Sequence, residues 1–152
     1  MGRYAEGTTV SVANSRSEIE RTLARYGVVE RGWVDVIGKS SIQFRMADRM
    51  VRFVLELPDP MAEKYVYGRH HKLRSPEARR AAWEQDCRQH WRALSLAIKA
   101  KLEAVESGIA TFEQEFMAYI ILPNGESVAE HVTPAIAEAY ETKKMPPLLG
   151  FK

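Results

Sequence analysis

Seven apolar side chains, Trp83, Cys87, Trp91, Leu94, Ile98, Leu102 and Val105, recur at intervals of four, four, three, four, four and three residues. That rhythm follows the helical turn and puts all of them on one stripe of a single α-helix of about eight turns. Punctuation at both ends agrees: Ser75-Pro76-Glu77 supplies a capping hydroxyl, a proline at the first helical position and an acid in the first turn, and Ser107-Gly108 supplies a stop. Such a helix is stable only when its stripe is covered, so the rest of the chain must furnish the cover. With 152 residues, 45% of them hydrophobic, there is material for one core that buries about 70% of the unfolded surface.

The cover comes from three strand-like runs, residues 28–37, 41–46 and 50–57, separated by Gly38-Lys39-Ser40 and Ala47-Asp48-Arg49. Breaks of hairpin length predict an antiparallel meander. Ile42, Phe44 and Met46 share one face of the second run, and Val51, Phe53, Leu55 and Leu57 one face of the third, while Gln43, Arg45, Arg52 and Glu56 look outward. Upstream, residues 8–12 alternate as a short strand would, and Ser15-Arg16-Ser17-Glu18 reads as a capping box opening a helix over residues 16–26. Downstream, Thr111 with Gln114 opens a helix that buries Phe116, Tyr119 and Ile120. Ser127 with Glu130 opens a last helix to about residue 140, with Pro134 as a break or restart. The expected class is α+β: a short antiparallel β-meander with an N-terminal helix, followed by a long amphipathic helix and C-terminal helices. One domain spans residues 1–152, as helix plus sheet (1–60), basic connector (61–75), helical part (76–141) and an apolar tail (142–152) suited to docking.

A net charge of +2 conceals a strong internal polarity. Residues 64–80 hold six basic side chains, Lys64, Arg69, Lys72, Arg74, Arg79 and Arg80, against the single acid Glu77, whereas residues 103–141 hold eight glutamates and neither Lys nor Arg. Tyr65, Tyr67, His70 and His71 lie among the cations. Cations neutralise phosphates and flat rings stack on unpaired bases, so the pattern points to single-stranded nucleic acid. Arg16, Arg21 and Arg25, on the outer side of the first helix, extend that expectation. The plainer alternative is a basic run folded onto the chain's own acidic half.

Other chemistries find little support. Residues 32–40, GWVDVIGKS, have five residues between the glycines where a phosphate-binding P-loop has four, and a strand follows where the loop needs a helix. His70 and His71 are adjacent and lack ligand partners at helical spacing, so no metal and no cofactor is expected. Cys87, the only cysteine, sits between two tryptophans on the apolar stripe and reads as an inert buried thiol; it excludes an intrachain disulfide. A hydrolase would need Asp35, Asp48 and Asp59 to gather in space. No signal peptide or bilayer-length apolar run is visible, so a cytoplasmic protein without a membrane partner is expected.

Residues 98–109 (IKAKLEAVESGI), with Phe112, Glu115-Phe116, Leu122-Pro123-Asn124-Gly125, Ala139-Tyr140-Glu141-Thr142 and Met145-Pro146-Pro147-Leu148-Leu149, resemble a family of small uncharacterised proteins encoded by bacteriophages and prophages. The resemblance runs from Ser15 to the end and implies action inside a bacterial host; it brings no activity or active-site residues. At the level of fold, three antiparallel strands leading to a long helix are similar to the β-β-β-α core of phage single-strand annealing proteins. The expected function is therefore non-enzymatic nucleic-acid binding, of single-stranded DNA, in phage DNA metabolism. The alternative is an interaction module that binds a host enzyme or defence protein through its acidic helices and tail. A homo-oligomer built on the long helix is open in either case.

Overall fold

The computed structural model describes residues 5–149. Its elements are helix α1 (Val12–Arg25), strands β1 (Arg31–Val36), β2 (Lys39–Met46) and β3 (Arg49–Glu56), the one-turn helix α2 (Glu63–Val66), and the helices α3 (Pro76–Glu106), α4 (Phe112–Phe116) and α5 (Val128–Thr142). The fold is α+β, as expected. The strands form an antiparallel sheet in the order β1-β2-β3, with Trp33 opposite Ile42 and Ile42 opposite Phe53.

One sheet face makes the core. Phe44 and Phe53 lie nearly parallel with ring centres 6.3 Å apart, and Phe116 of α4 meets both edge-on at 6.2 Å. Ile42, Val51, Ile98 and Leu102 are fully enclosed in the same cluster, with Ile19 and Leu23 of α1 and Trp91 of α3. α1 lies beside α3 and runs in the same direction, because its successive partners advance together. Gln85 donates to the Thr8 carbonyl, Arg92 pairs with Glu18, and the Tyr26 hydroxyl donates to Glu103.

Residues 8–12 do not form a strand. Ser11 is the N-cap instead of Ser15, its hydroxyl accepting the Asn14 N–H at 3.1 Å, and the helix it opens carries Ser15 inward beside Ile19, Thr22 and Leu23. Both serines could cap, and the helix begun at Ser11 adds a turn whose Val12 packs against the core. Pro134 does not break α5, which continues to Thr142. The carbonyl deprived of its partner belongs to Glu130 in the exposed first turn, where solvent can satisfy it. Residues 120–122 supply a partial fourth strand: Ile120 bridges to Val51, and the Ile121 N–H donates to the Met50 carbonyl at 2.8 Å. α5 then leaves this edge with no buried residue of its own, and the tail side chains Met145, Leu148 and Leu149 are exposed. No helix among the described residues is long and apolar enough to cross a membrane.

The β2–β3 turn carries a local cost. Ala47 and Asp48 both have positive φ, 48° and 57°, the left-handed pair of a two-residue hairpin turn that Asn-Gly fits far better than alanine. Replacing Ala47→Asn together with Asp48→Gly is expected to stabilise the fold by about 1 kcal/mol and raise Tm by about 2–4 °C, read by thermal denaturation. An unchanged or lower Tm contradicts the turn assignment.

Candidate nucleic-acid interface

The basic segment folds back on itself. After α2 the chain makes a small hairpin: Tyr67 bridges to Leu73, the Gly68 N–H donates to the Lys72 carbonyl at 2.8 Å, and the Lys72 N–H donates to the Arg69 carbonyl at 3.3 Å. His70 and His71 occupy the two central positions of this turn with φ of 55° and 56°. Both project from the tip and are exposed. The His71 ring lies against Tyr67, centres 4.1 Å apart and planes 11° from parallel. Beside this pair is an open hollow of about 330 Å³ lined by Glu63, Lys64, Tyr67, Gly68 and His71.

The cations divide into three groups. Lys64 is paired with Asp86, and Arg80 with Glu84 one turn along α3 at 2.8 Å. Arg74 and Arg79 are aimed by backbone carbonyls: Arg74 donates to the Lys64 carbonyl at 3.0 Å and caps α2, and Arg79 donates to the Arg74 carbonyl at 3.1 Å. These bonds fix direction and leave the charge unneutralised. Arg69 and Lys72 are exposed, with no side-chain hydrogen bond or ion pair among the described residues. None of the ion pairs made by the glutamates of residues 103–141 reaches this segment: Glu115 pairs with Lys101, Glu126 with His131 and Glu130 with Arg52. The acidic half therefore does not quench the basic one.

Tyr65 leaves the predicted set of stacking rings. It is 4% exposed, and its hydroxyl donates to Asp86. The arginines of α1 also stand apart from the hairpin. Arg16 lies over the Trp33 ring at 4.3 Å and pairs with Asp35 on β1 at 3.2 Å. Arg25 rests on Tyr26. Arg21 and Arg25 join Lys99, Glu18 and Thr22 around a second hollow of about 280 Å³ between α1 and α3. Asp86 and Lys99 are thirteen residues apart on α3, which separates the two basic areas by about 20 Å along the helix and about 140° around it. Lys99 is absent from the predicted set; its seven-residue offset from Arg92, the partner of Glu18, is the signal that places it against α1. Nor do the aspartates gather: Asp35 is at the β1–β2 end of the sheet and Asp48 in the β2–β3 turn at the other. Burial pushes the Cys87 thiol up, away from the reactive thiolate.

Asp86 anchors α2, from which the hairpin continues, to α3. Its carboxylate accepts from Tyr65 and Lys64, and the Nδ1–H of His90 donates to its backbone carbonyl at 2.7 Å. Burial pushes the Asp86 carboxyl up, but the hydrogen bonds from Lys64 and Tyr65 together outweigh it and hold the group below the usual carboxylate range. A depressed folded-state pKa contributes stability that is present above the unfolded value of about 4 and is lost as pH falls through the folded one. Asp86→Asn is thus expected to cost about 1–3 kcal/mol at neutral pH, with the gap to the parent narrowing in acid; urea titrations at several pH values measure it. A gap that stays constant below pH of about 4 would remove Asp86 as the anchor.

No protein-family model matches this chain, and neither a curated protein nor a solved structure does.

Proposed function

We propose that the protein binds single-stranded nucleic acid through the hairpin of residues 67–73 and the adjoining first turn of α3. What supports this reading is that Arg69, Lys72, Arg74 and Arg79, on the hairpin and the first turn of α3, pair with no acid among the described residues, and that the tip is made of two exposed histidines in left-handed backbone. Asn-Gly would suit that turn better, as it would the β2–β3 turn; what distinguishes this one is that its strained backbone carries two exposed rings among cations. The cations would meet phosphates, and Tyr67 with His71 offers stacked rings to a base. Tyr65 supports the hairpin from beneath. The resemblance to phage-encoded proteins, which runs from Ser15 to the end, is the ground for placing this activity in phage DNA metabolism inside the host cell.

Fluorescence anisotropy with a labelled single-stranded oligonucleotide tests the proposal. Binding is expected at low salt and weakens with added salt, and Arg69→Ala with Lys72→Ala should lower the log–log salt slope by about 0.7 for each phosphate that is no longer neutralised. Arg45→Ala, which removes a sheet cation paired with Glu30 far from the hairpin, should leave binding unchanged. His70→Asn with His71→Gly should raise Tm while weakening binding. Absence of binding at low salt ends the reading.

A second reading has its own observation. α5 exposes Ile136 and Tyr140, and the tail exposes Met145 and Leu149, beside Glu138 and Glu141. An apolar strip edged with acids suits a host protein that offers a basic, apolar groove. Recovery of one host protein in a nuclease-resistant complex, lost on deletion of residues 128–152, would favour it.

A further inference from the structure

β1 is the free edge of the sheet. The Arg45 N–H donates to the Glu30 carbonyl, which sets the phase of the ladder: Gly32, Val34 and Val36 turn their backbone groups toward β2, and Arg31, Trp33 and Asp35 turn theirs away. No hydrogen bond among the described residues uses those outward groups. The opposite edge, β3, is partly covered by residues 120–122, and among the described residues β1 has no such cover. Its protection is confined to two charged side chains, Arg31 and Asp35, since β1 has no lysine, proline or bulge, and Val34 and Val36, with Ile37 in the turn beyond, are 54%, 58% and 105% exposed.

We propose that β1 pairs antiparallel with β1 of a second copy, making one continuous six-stranded sheet across a two-fold axis at Trp33. In an antiparallel pair outward residues must face outward residues, so only registers that match odd positions with odd positions are open. With Trp33 on the axis, Arg31 falls opposite Asp35 of the second copy, and Asp35 opposite Arg31, so both charge pairs are complementary. Gly32 falls opposite Val34. That match fills a feature of the surface: beside Gly32, which has no side chain, lies a hollow of about 240 Å³ lined by Glu30, Val34, Gln43 and Met50 among others. A slip of two residues puts Arg31 opposite Ile37, which lies in the hairpin turn, in one direction and opposite Trp33 in the other, and either slip forfeits both charge pairs. Strand polarity, charge and shape therefore select one occupant, a second copy of this chain. The inference does not depend on nucleic-acid binding, because the hairpin of residues 67–73 belongs to another part of the surface.

Sedimentation velocity over a concentration series tests it. The unmodified protein is expected to approach twice its 17.3 kDa mass. Arg31→Glu, which sets two like-charged pairs face to face, should weaken the dimer about tenfold, as should Asp35→Lys. An equimolar mixture of the two variants restores complementarity at every pair and should recover the dimer. Asp35→Lys also gives up its bonds to Arg16 and Ser40, so its fold is checked by circular dichroism. Amide exchange on the unmodified chain gives an independent readout: the Arg31, Trp33 and Asp35 N–H groups should become protected as concentration rises. A monomer at every concentration, Arg31→Glu as dimeric as the parent, or fast exchange of those amides throughout would overturn the proposal.

Discussion

A helix of 31 residues holds its place only if its apolar side is covered, and in α3 the covering surface is the aromatic side of a three-stranded sheet. Trp91, Ile98 and Leu102 are essentially enclosed, and burial of each such side chain contributes about 1.5–3 kcal/mol. The remaining elements take their positions from this contact. α1 lies along the flank of α3, α4 fits Phe116 between Phe44 and Phe53, and α2, from which the basic hairpin continues, is held to its N-terminal third through Asp86. α3 is thus the beam that fixes distances between surface regions otherwise unconnected.

Charge along that beam runs against what the helix itself would select. The backbone dipole favours acids at the N-terminus and cations at the C-terminus, each by about 0.3–1 kcal/mol. α3 has Glu77 in its first turn, but Arg79 and Arg80 follow at once, and its last turn has no basic residue and ends in Glu106. The arrangement is therefore not explained by helix stability. Over a length of about 46 Å it sets Arg79 and Arg80 near one end and Glu103 and Glu106 at the other, the latter preceded by Lys99 and Lys101. Lys64 and Arg80 find their partners, Asp86 and Glu84, near the N-terminal end of the helix.

Local signals in the sequence were reliable where one interaction decides the outcome. The Ser75-Pro76 start and Ser107 stop of α3, the meander, and the capping boxes at Thr111 and Ser127 all stand, each box with both reciprocal hydrogen bonds. Partnerships between distant residues were not legible. Tyr65 reads as a surface ring because its neighbours are cations, yet Asp86, twenty-one positions later, draws it inside. The turn at His70-His71 was also hidden, since the usual announcement of that geometry is Asn-Gly. At the N-terminus two serines could each begin α1, and the choice rests on packing that neither serine encodes.

α5 is joined to the molecule chiefly at its beginning. The Val128 N–H donates to the Ile120 carbonyl, Glu130 lies 3.6 Å from Arg52, and the helix touches the turn at residues 117–119, but none of its side chains enters the core. Cooperative unfolding binds together only what shares buried surface. The last turns of α5 can consequently fray and re-form while the sheet and α3 remain intact. Local opening there releases a peptide of residues 135–149 without cost to the remainder, which makes this segment the natural place for a protease to cut first and for a fused tag to be carried harmlessly.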